Sequence, residues 1–238
     1  MLIEICVDSA AGLAEAVAGG ADRIELCSAL ALGGLTPSHG FMAHAASCDL
    51  PVLAMMRPRD GDFHWSATEV EIILNDIASA RAAGLSGVVL GASLPDGRLD
   101  EPTLARMVAA ADGLDLTLHR AFDLTPDPFA AMETAITLGF SRILSSGQAL
   151  RAEAGLPLLQ ALQRQAADRI TLMPGSGITP ENAGLFRAAG FGEVHASCSA
   201  VAASSEKVQA FGFAQAGSRR TDARVIRALR AACSADQT

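Results

Sequence analysis

Short aliphatic segments alternate with longer alanine-rich segments along almost the whole chain. The short segments are rich in β-branched and aliphatic residues, with side chains that alternate between apolar and polar, which is typical of strands. Eight of them occur at fairly regular intervals. Strands are predicted at Leu2–Val7, Arg23–Cys27, Val52–Arg57, Gly87–Gly91, Leu114–His119, Arg142–Ser145, Arg169–Met173 and Glu193–Ser197.

The longer segments place apolar residues at helical spacing, and several begin with a residue that caps a helix. Ser66 with Glu69 three residues later predicts a capping box, and Thr125 and Thr179 each precede a proline. Helices are predicted at Ala10–Ala18, Glu69–Ala83, Leu104–Ala111, Phe129–Leu138, Leu158–Ala167 and Glu181–Ala189, with a last helix at Asp222–Cys233.

A repeated junction indicates how these elements are arranged. At Gly20, Gly84, Gly139 and Gly190 a helical pattern stops and a strand pattern begins a few residues later. Glycine suits the left-handed position that ends a helix tightly. The four junctions precede predicted strands two, four, six and eight, and a strand–helix pair takes about 30 residues, as in a (β/α)₈ barrel.

The predicted fold class is therefore α/β, a (β/α)₈ TIM barrel in which residues 1–238 form a single domain. A Rossmann-like sheet is the alternative, but it would require a GxGxxG loop after the first strand, where the chain has Cys6-Val7-Asp8-Ser9. The segment 198–221 is rich in Ala, Ser and Gly with weak periodicity, and it is predicted to be a long loop after strand eight.

Composition restricts the classes of partner. A net charge of −8 and an aromatic content of 4% argue against nucleic-acid binding. Five cysteines without a CxxC pair favour reduced thiols over a disulfide scaffold or structural zinc. The first residues do not resemble a signal peptide, and no apolar segment reaches the ~18 residues that cross a bilayer. We expect a cytoplasmic protein with no membrane partner.

The first two predicted strands end alike, in Glu4-Ile5-Cys6 and Glu25-Leu26-Cys27. Side chains alternate along a strand, so each glutamate shares a face with the following cysteine. If that face points into the barrel, two carboxylates and two thiols converge; otherwise the thiols lie under helices as small hydrophobic residues. A buried carboxylate needs a partner, and the expected partners are Arg57 and Arg59.

Other strand ends carry further polar side chains, where TIM barrels place their active sites. Arg57, Arg59 and Asp62 suit the binding of a carboxylate or phosphate, the alternative being a salt-bridged loop. His119 is a candidate acid/base or metal ligand that Asp123 would orient, the alternative being a structural histidine. His195 ends strand eight, whereas His39, His44 and His64 are expected to be bystanders.

The loops after strands six and seven contain Ser146-Gly147 and Gly175-Ser176-Gly177. Gly175 and Gly177 permit a close approach of phosphate to backbone amides, although a tight turn explains the same pattern. The predicted catalytic residues are Glu4, Glu25, His119, Asp123 and His195. The predicted substrate-binding residues are Arg57, Arg59, Asp62, Arg120, Ser146, Gly147, Gly175, Gly177 and Ser197. The predicted metal ligands are Cys6 and Cys27.

Polar and glycine-containing motifs follow one another along nearly the whole chain. They are Ile24-Glu25-Leu26-Cys27, Gly33-Gly34-Leu35-Thr36-Pro37-Ser38, Arg57-Pro58-Arg59, Gly61-Asp62-Phe63, His119-Arg120-Ala121-Phe122-Asp123, Ser146-Gly147, Pro174-Gly175-Ser176-Gly177-Ile178 and Glu193-Val194-His195. Together, and in this order, these motifs resemble the CutC family. Asp60 stands where the family usually has glycine, and it adds negative charge at the predicted barrel mouth. The resemblance implies a cytoplasmic (β/α)₈ barrel, commonly a homodimer, with a role in copper homeostasis.

Three functions are open at this stage. A copper-homeostasis factor would bring thiols and imidazoles together, since Cu(I) prefers soft ligands, although the chain has no close CxC, CxxC or MxM pair. A lyase, isomerase or hydrolase would act on a small anionic metabolite. A scaffold with a relic site would have a mouth plugged by its own side chains. Copper is thus a possible cofactor, and no organic cofactor is implied.

Overall fold

The eight predicted strands form one parallel sheet that curls into a nearly closed barrel. The computed structural model describes residues 1–234. The strands follow the hydrogen-bonded order β7-β6-β5-β4-β3-β2-β1-β8, and β7 and β8 lie side by side where the barrel closes. The bounds are β1 Leu2–Val7, β2 Arg23–Leu26, β3 Val52–Met55, β4 Gly87–Leu90, β5 Asp115–Leu118, β6 Arg142–Ser145, β7 Thr171–Pro174 and β8 Glu193–Ala196.

The helices cover the outside of this barrel. The predicted (β/α)₈ fold is therefore confirmed, with most element bounds shifted by one to three residues from those predicted. A helix between β2 and β3, α2, was not predicted. The bounds are α1 Ala10–Gly19, α2 His39–Ala45, α3 Ala67–Ala83, α4 Glu101–Ala110, α5 Pro128–Leu138, α6 Leu156–Ala166 and α7 Ala183–Ala188.

Some of the predicted residues that begin and end the helices are confirmed, and others are not. All four repeat glycines are left-handed, with φ between 81° at Gly84 and 87° at Gly20, and α3 begins with the predicted capping box. The predicted threonine caps are wrong. Asp127 caps α5, because its carboxylate accepts the amides of Phe129 and Ala130, and α7 begins after Asn182.

The segment after β8 contains more structure than the predicted loop. Strands β9, Ser199–Val201, and β10, Arg219–Thr221, pair antiparallel and flank a short helix α8, Glu206–Ala210. Three-residue strands are too short to give a visible alternation in the sequence, which is why this hairpin was not predicted. The last helix, α9 Ala223–Ser234, then packs against α1 and α7.

Alternation along the strands separates two environments. Ile3, Ile5 and Ile24 belong to the large core between the barrel and its helices. Cys27 packs with Leu53, Met55 and Val89 in a separate cluster inside the barrel. The intervening polar residues, Glu4 and Glu25 among them, therefore also point inward. No helix within residues 1–234 has the length and apolar character required to cross a membrane.

Candidate functional site

A buried ion-pair network forms the floor of the barrel interior. Glu4 is completely buried, and its carboxylate pairs with Arg23, which also donates to Oε2 of Glu193 at 2.5 Å. Burial opposes the charge of Arg23, but Glu4 and Glu193 raise its pKa above the ordinary value. The expectation that Arg57 and Arg59 pair with Glu4 and Glu25 is therefore wrong. Arg23 takes this role because it shares the inward face of β2 with Glu25.

A second buried arginine extends the network to the neighbouring strands. Arg142 donates to Oδ2 of Asp115 at 2.7 Å and to Oγ1 of Thr117 at 3.0 Å, and its Nε lies 3.3 Å from Oε2 of Glu193. With Glu4 and Glu25, the interior thus holds four carboxylates against the two guanidiniums of Arg23 and Arg142. Glu4, Glu193 and Asp115 each pair with one of these arginines, whereas Glu25 pairs with neither, and burial of an unpaired charge is costly.

His195 lies directly above this network. Its Nδ1 is 2.8 Å from Oε1 of Glu4, and its Nε2 is 3.7 Å from Oε2 of Glu25. Burial alone would lower the pKa of His195, but the negative charge of Glu25, the thiol of Cys6 and the bond to Glu4 raise it well above 6.5. Burial would likewise raise the pKa of Glu4, but His195 and Arg23 lower it to about 2.

Cys6, Glu25 and His195 form the tightest group of potential metal ligands. One ligand atom from each residue lies within 4.8 Å of the others, and all three residues are buried. Oε1 of Glu25 has no hydrogen-bond partner within residues 1–234. Burial, with the nearby charge of Glu4, raises the pKa of Glu25. A thiol, an imidazole nitrogen and an open carboxylate oxygen are together a set of ligands for a transition metal.

Cys27 lies beside this group without belonging to it. Its Sγ is 3.5 Å from Oε2 of Glu25, and burial raises the pKa of the thiol well above 9.0. Of the two alternatives that the sequence left open, the structure thus shows the one in which the two carboxylates and the two thiols converge inside the barrel. Cys6 belongs to the group with Glu25 and His195, whereas Cys27 packs with the apolar residues of the interior.

His119 lies apart from this group and has the opposite electrostatic environment. Nδ1 accepts the backbone N–H of Ala121 at 3.1 Å, and the ring packs against Phe63 with centroids 4.6 Å apart. Burial and the charge of Arg57 lower the pKa of His119 to about 3. The imidazole is therefore neutral at pH 7, and its hydrogen is on Nε2.

Asp123 does not orient His119 as predicted. Its carboxylate accepts from Nε of Arg120 at 2.8 Å, from Oγ of Ser145 at 2.6 Å, and from the amide and hydroxyl of Ser146. These bonds fix the segment after β5 to the end of β6. Asp123 and Ser146 thus hold the barrel rim together, and Gly147 fits there because the carbonyl of Gly155 leaves no room for a Cβ.

Arg57 and Arg59 have different surroundings although they are two residues apart. Arg57 is buried and donates to the carbonyls of Leu32, Gly34 and Gly61. Arg59 lies at the surface and pairs with Asp62 at 2.9 Å and with Glu69 at 2.5 Å. Arg59 and Asp62 therefore belong to a salt-bridged loop, which was the alternative to anion binding. Arg57 instead lines the cavity.

These residues surround a cavity of about 750 Å³ at the carboxyl ends of the strands. The cavity is open, in contrast to the plugged mouth expected of a scaffold. Two other predicted site residues contact His195 without lining the cavity. Glu4 bonds to its Nδ1, and Gly175 packs against the His195 side chain, since a Cβ at Gly175 would lie 3.3 Å from the Cβ of His195. The predicted residues that line the cavity are Cys6, Glu25, Arg57, His119, Arg120, Gly177, His195 and Ser197.

Sequence reasoning missed several residues that shape the cavity. Arg23 was identified only as the start of a strand, although its position two residues before Glu25 on one face was a usable signal. Gly91 makes room for His119, because a Cβ there would lie 2.6 Å from Nδ1 of the ring. Arg219 and Arg224 reach the mouth from the segment after β8, and the sequence carries no local signal for that.

A family model and individual related proteins assign this chain to the same family. The CutC family model matches residues 1–200. A CutC family protein of Sinorhizobium medicae is 53% identical over 99% of this chain and 97% of its own length. The human copper homeostasis protein cutC homolog is 48% identical over 76% of this chain and 67% of its own length.

Solved structures agree with the sequence comparison. A crystal structure described as a copper homeostasis protein CutC from Streptococcus agalactiae superposes with a TM-score of 0.79 at 30% identity. The match covers 83% of this chain and 98% of the streptococcal chain. The chain therefore belongs to the CutC family.

Proposed function

We propose that this protein takes part in copper homeostasis by binding one copper ion, as Cu(I), between Cys6, Glu25 and His195. The observation that supports the proposal most strongly is the grouping of their ligand atoms within 4.8 Å at the base of an open cavity. Cu(I) prefers thiolate and imidazole ligands, and this group offers one of each.

The orientation of His195 supports the same proposal. Histidines that ligate metals usually donate their other ring N–H to a carboxylate, which fixes the ring and raises its basicity. Here Glu4 accepts from Nδ1, and Arg23 holds Glu4. Nε2 is left facing Glu25 and would exchange its proton for the copper ion.

The charge of the interior also favours a bound cation. Four carboxylates face two guanidiniums in the network below His195. A protonated His195 offsets part of the excess in the metal-free protein. Copper binding would release the proton of Nε2 and that of the Cys6 thiol, and the positive charge of Cu(I) would then lie against the Cys6 thiolate and the Glu25 carboxylate.

A competition titration tests the proposal. The reduced, metal-free protein would be titrated with Cu(I) against a chromophoric chelator, alongside the Cys6→Ser and Cys27→Ser variants and a Cys48→Ser control. Cys48 lies outside the cavity. We expect one-to-one binding that is ~100-fold weaker in Cys6→Ser and unchanged in Cys48→Ser. A loss in Cys27→Ser as large as that in Cys6→Ser would make Cys27 a second thiolate ligand.

Two results would overturn the proposal. Weak Cu(I) binding that is equal in the wild type and Cys6→Ser would make the copper role indirect. Tight Zn²⁺ binding without Cu(I) binding would assign the group to a different metal, since a thiol, an imidazole and a carboxylate also suit zinc.

The proposal implies a reducing compartment. All five cysteines are free thiols, and thiolate ligands must stay reduced to bind Cu(I). We therefore propose that the protein acts in the cytoplasm. Fractionation followed by immunoblotting would test this, with recovery in an oxidising compartment as the contrary result.

A further inference from the structure

His119 presents a hydrogen-bond donor that the protein does not use. Because Nδ1 accepts the amide of Ala121, the hydrogen is on Nε2. Nε2 is buried, and no acceptor for it exists within residues 1–234. A buried donor without an acceptor costs free energy, so such a group calls for an explanation. His119 is 3% exposed and lines the cavity.

The surrounding residues hold this donor in place. Gly91 leaves space for the ring, and Nε1 of Trp65 donates to the carbonyl of Gly91 at 2.9 Å, which fixes that backbone. Phe63 covers one side of the imidazole. The ring is thus oriented by packing and by its Nδ1 bond, while the opposite nitrogen is left without a partner.

Arg57 adds a second unused donor on the same cavity wall. Its guanidinium stacks over Phe63 at 5.2 Å from the ring centroid. Its terminal nitrogens donate only to backbone carbonyls. Its Nε, like Nε2 of His119, is buried without an acceptor in the described chain. Arg57 is 7% exposed, and no carboxylate of residues 1–234 forms an ion pair with it. Its positive charge therefore has no ion-pair partner among these residues, and Asp60 acts on it only from beyond ion-pair distance.

The size and lining of the cavity define the complementary ligand. Two unused N–H donors and one uncompensated positive charge are complementary to an anionic oxygen. A cavity of about 750 Å³ is far larger than an inorganic anion and lies in the range of small-molecule sites. Leu30, Met55, Leu144 and Ile178 give it apolar walls for a carbon skeleton.

We propose that the cavity binds a small organic anion, with a carboxylate or phosphate oxygen on Nε2–H of His119 and on the guanidinium of Arg57; both free nitrogens are covered in this structure, so the side chains over them shift when the anion binds. This site is separate from the proposed copper site, because His119 and Arg57 do not belong to the group of Cys6, Glu25 and His195. It uses His119 as a neutral donor rather than as an acid or base.

Nuclear magnetic resonance of the full-length, ¹⁵N-labelled protein tests the inference. Three probes separate the two anionic groups: glycolate carries the carboxylate, glycerol 3-phosphate the phosphate, and 2-phosphoglycolate both. Glycerol is the neutral control. We expect at least one anion, but not glycerol, to shift the Nε2–H resonance of His119 in a saturable manner at millimolar concentrations.

Matched variants connect the shift to the two donors. His119→Gln can keep an N–H donor near the position of Nε2, whereas His119→Met removes it, and His64→Met is a control at an exposed histidine. We expect anion binding to weaken ~10-fold or more in His119→Met and Arg57→Met, and to persist in His119→Gln and His64→Met.

Three results would overturn the inference: no shift with any of the anions, an equal shift with glycerol, or equal affinity in His119→Met. The copper proposal is tested independently, because Cys6→Ser should retain anion binding and His119→Met should retain Cu(I) binding. A failure of one proposal therefore leaves the other measurable.

Discussion

At the scale of single residues, the two imidazoles at the strand ends differ because of their neighbours. His195 lies among carboxylates, which favour its charged form, and Glu4 fixes its ring through Nδ1. His119 lies against Arg57 and Phe63, where burial and positive charge favour the neutral form. One residue type thus provides an imidazole that favours its charged form at one strand end and a neutral donor at another.

The low pKa of His119 predicts a loss of stability in mild acid. The pKa falls from 6.5 to about 3 on folding, so the unfolded chain takes up the proton first as the pH falls below 6.5, and stability is lost progressively down to about pH 3. From about pH 8 to about pH 5, the free energy of unfolding should fall by about 2 kcal/mol more in the wild type than in His119→Gln.

Denaturant unfolding at several pH values would measure this difference. Imidazole resonances of His119 that do not titrate above pH 5 would support it independently. Parallel loss of stability in the two proteins, or a His119 that titrates near 6.5, would contradict the assignment.

Glu4 is the most deeply embedded charge of the network. Its removal leaves Arg23 and His195 buried with fewer partners, and breaking a buried pair is strongly destabilising. We expect Glu4→Gln to lower the free energy of unfolding by about 3 kcal/mol. Glu71→Gln, which breaks an exposed pair with Arg106, should have little effect. Similar effects of the two substitutions would mean that the network is not stabilising.

At the scale of elements, each functional imidazole packs against a glycine at the end of the preceding strand. His119 follows β5 and lies over Gly91, which follows β4; His195 is in β8 and lies beside Gly175, which follows β7. Adjacent parallel strands bring these positions side by side, and a side chain at either glycine would meet the neighbouring strand's residues. The glycines therefore position the rings.

This arrangement predicts a selective effect of Gly175→Ala. The added Cβ would lie 3.3 Å from the Cβ of His195 and would press more closely on Leu144. We expect the free energy of unfolding to fall by about 1–3 kcal/mol and Cu(I) affinity to fall ~10-fold. Gly184→Ala is the control, because nothing lies within 4 Å of a Cβ there and its helix should gain about 0.5–1 kcal/mol. Unchanged copper affinity in Gly175→Ala would contradict the positioning role.

The elements also show what the sequence could predict. Alternation along β1 and β2 correctly placed Glu4 with Cys6 and Glu25 with Cys27 on one face of each strand, because that pattern is local, but it left open whether the face points into the barrel or towards the helices. The ion-pair partners were predicted wrongly, because pairing depends on which inward residues share a layer, and this is set by the register between strands. Asp123 was misassigned for a related reason: proximity to His119 in sequence did not show that β6 would supply its partners.

At the scale of the whole molecule, the cavity has two walls of different origin. The barrel strands supply Cys6, Glu25, His119 and His195 within residues 1–200, which the CutC family model matches. The hairpin β9–β10 and helix α9 supply Arg219 and Arg224 from beyond that range. The homodimer implied by the family resemblance stays a prediction, which sedimentation velocity would test.

Copper bound at the proposed site should stabilise the whole fold, because Cys6, Glu25 and His195 belong to β1, β2 and β8. A ligand present at 100 times its dissociation constant adds about 2.7 kcal/mol, which for a chain of this size corresponds to a melting-temperature rise of about 5–10 °C. Calorimetry of the reduced protein should show this rise in the wild type and in Cys48→Ser, and should show much less in Cys6→Ser. An equal rise in Cys6→Ser would place the copper elsewhere.

The most direct test of the proposed copper site is X-ray absorption at the copper edge of the one-to-one Cu(I) complex. The proposed site predicts both sulfur and imidazole-nitrogen neighbours in the wild type, with the sulfur signal lost in Cys6→Ser and retained in Cys48→Ser. A spectrum with only nitrogen and oxygen neighbours, or a sulfur signal that persists in Cys6→Ser, would contradict copper binding between Cys6, Glu25 and His195.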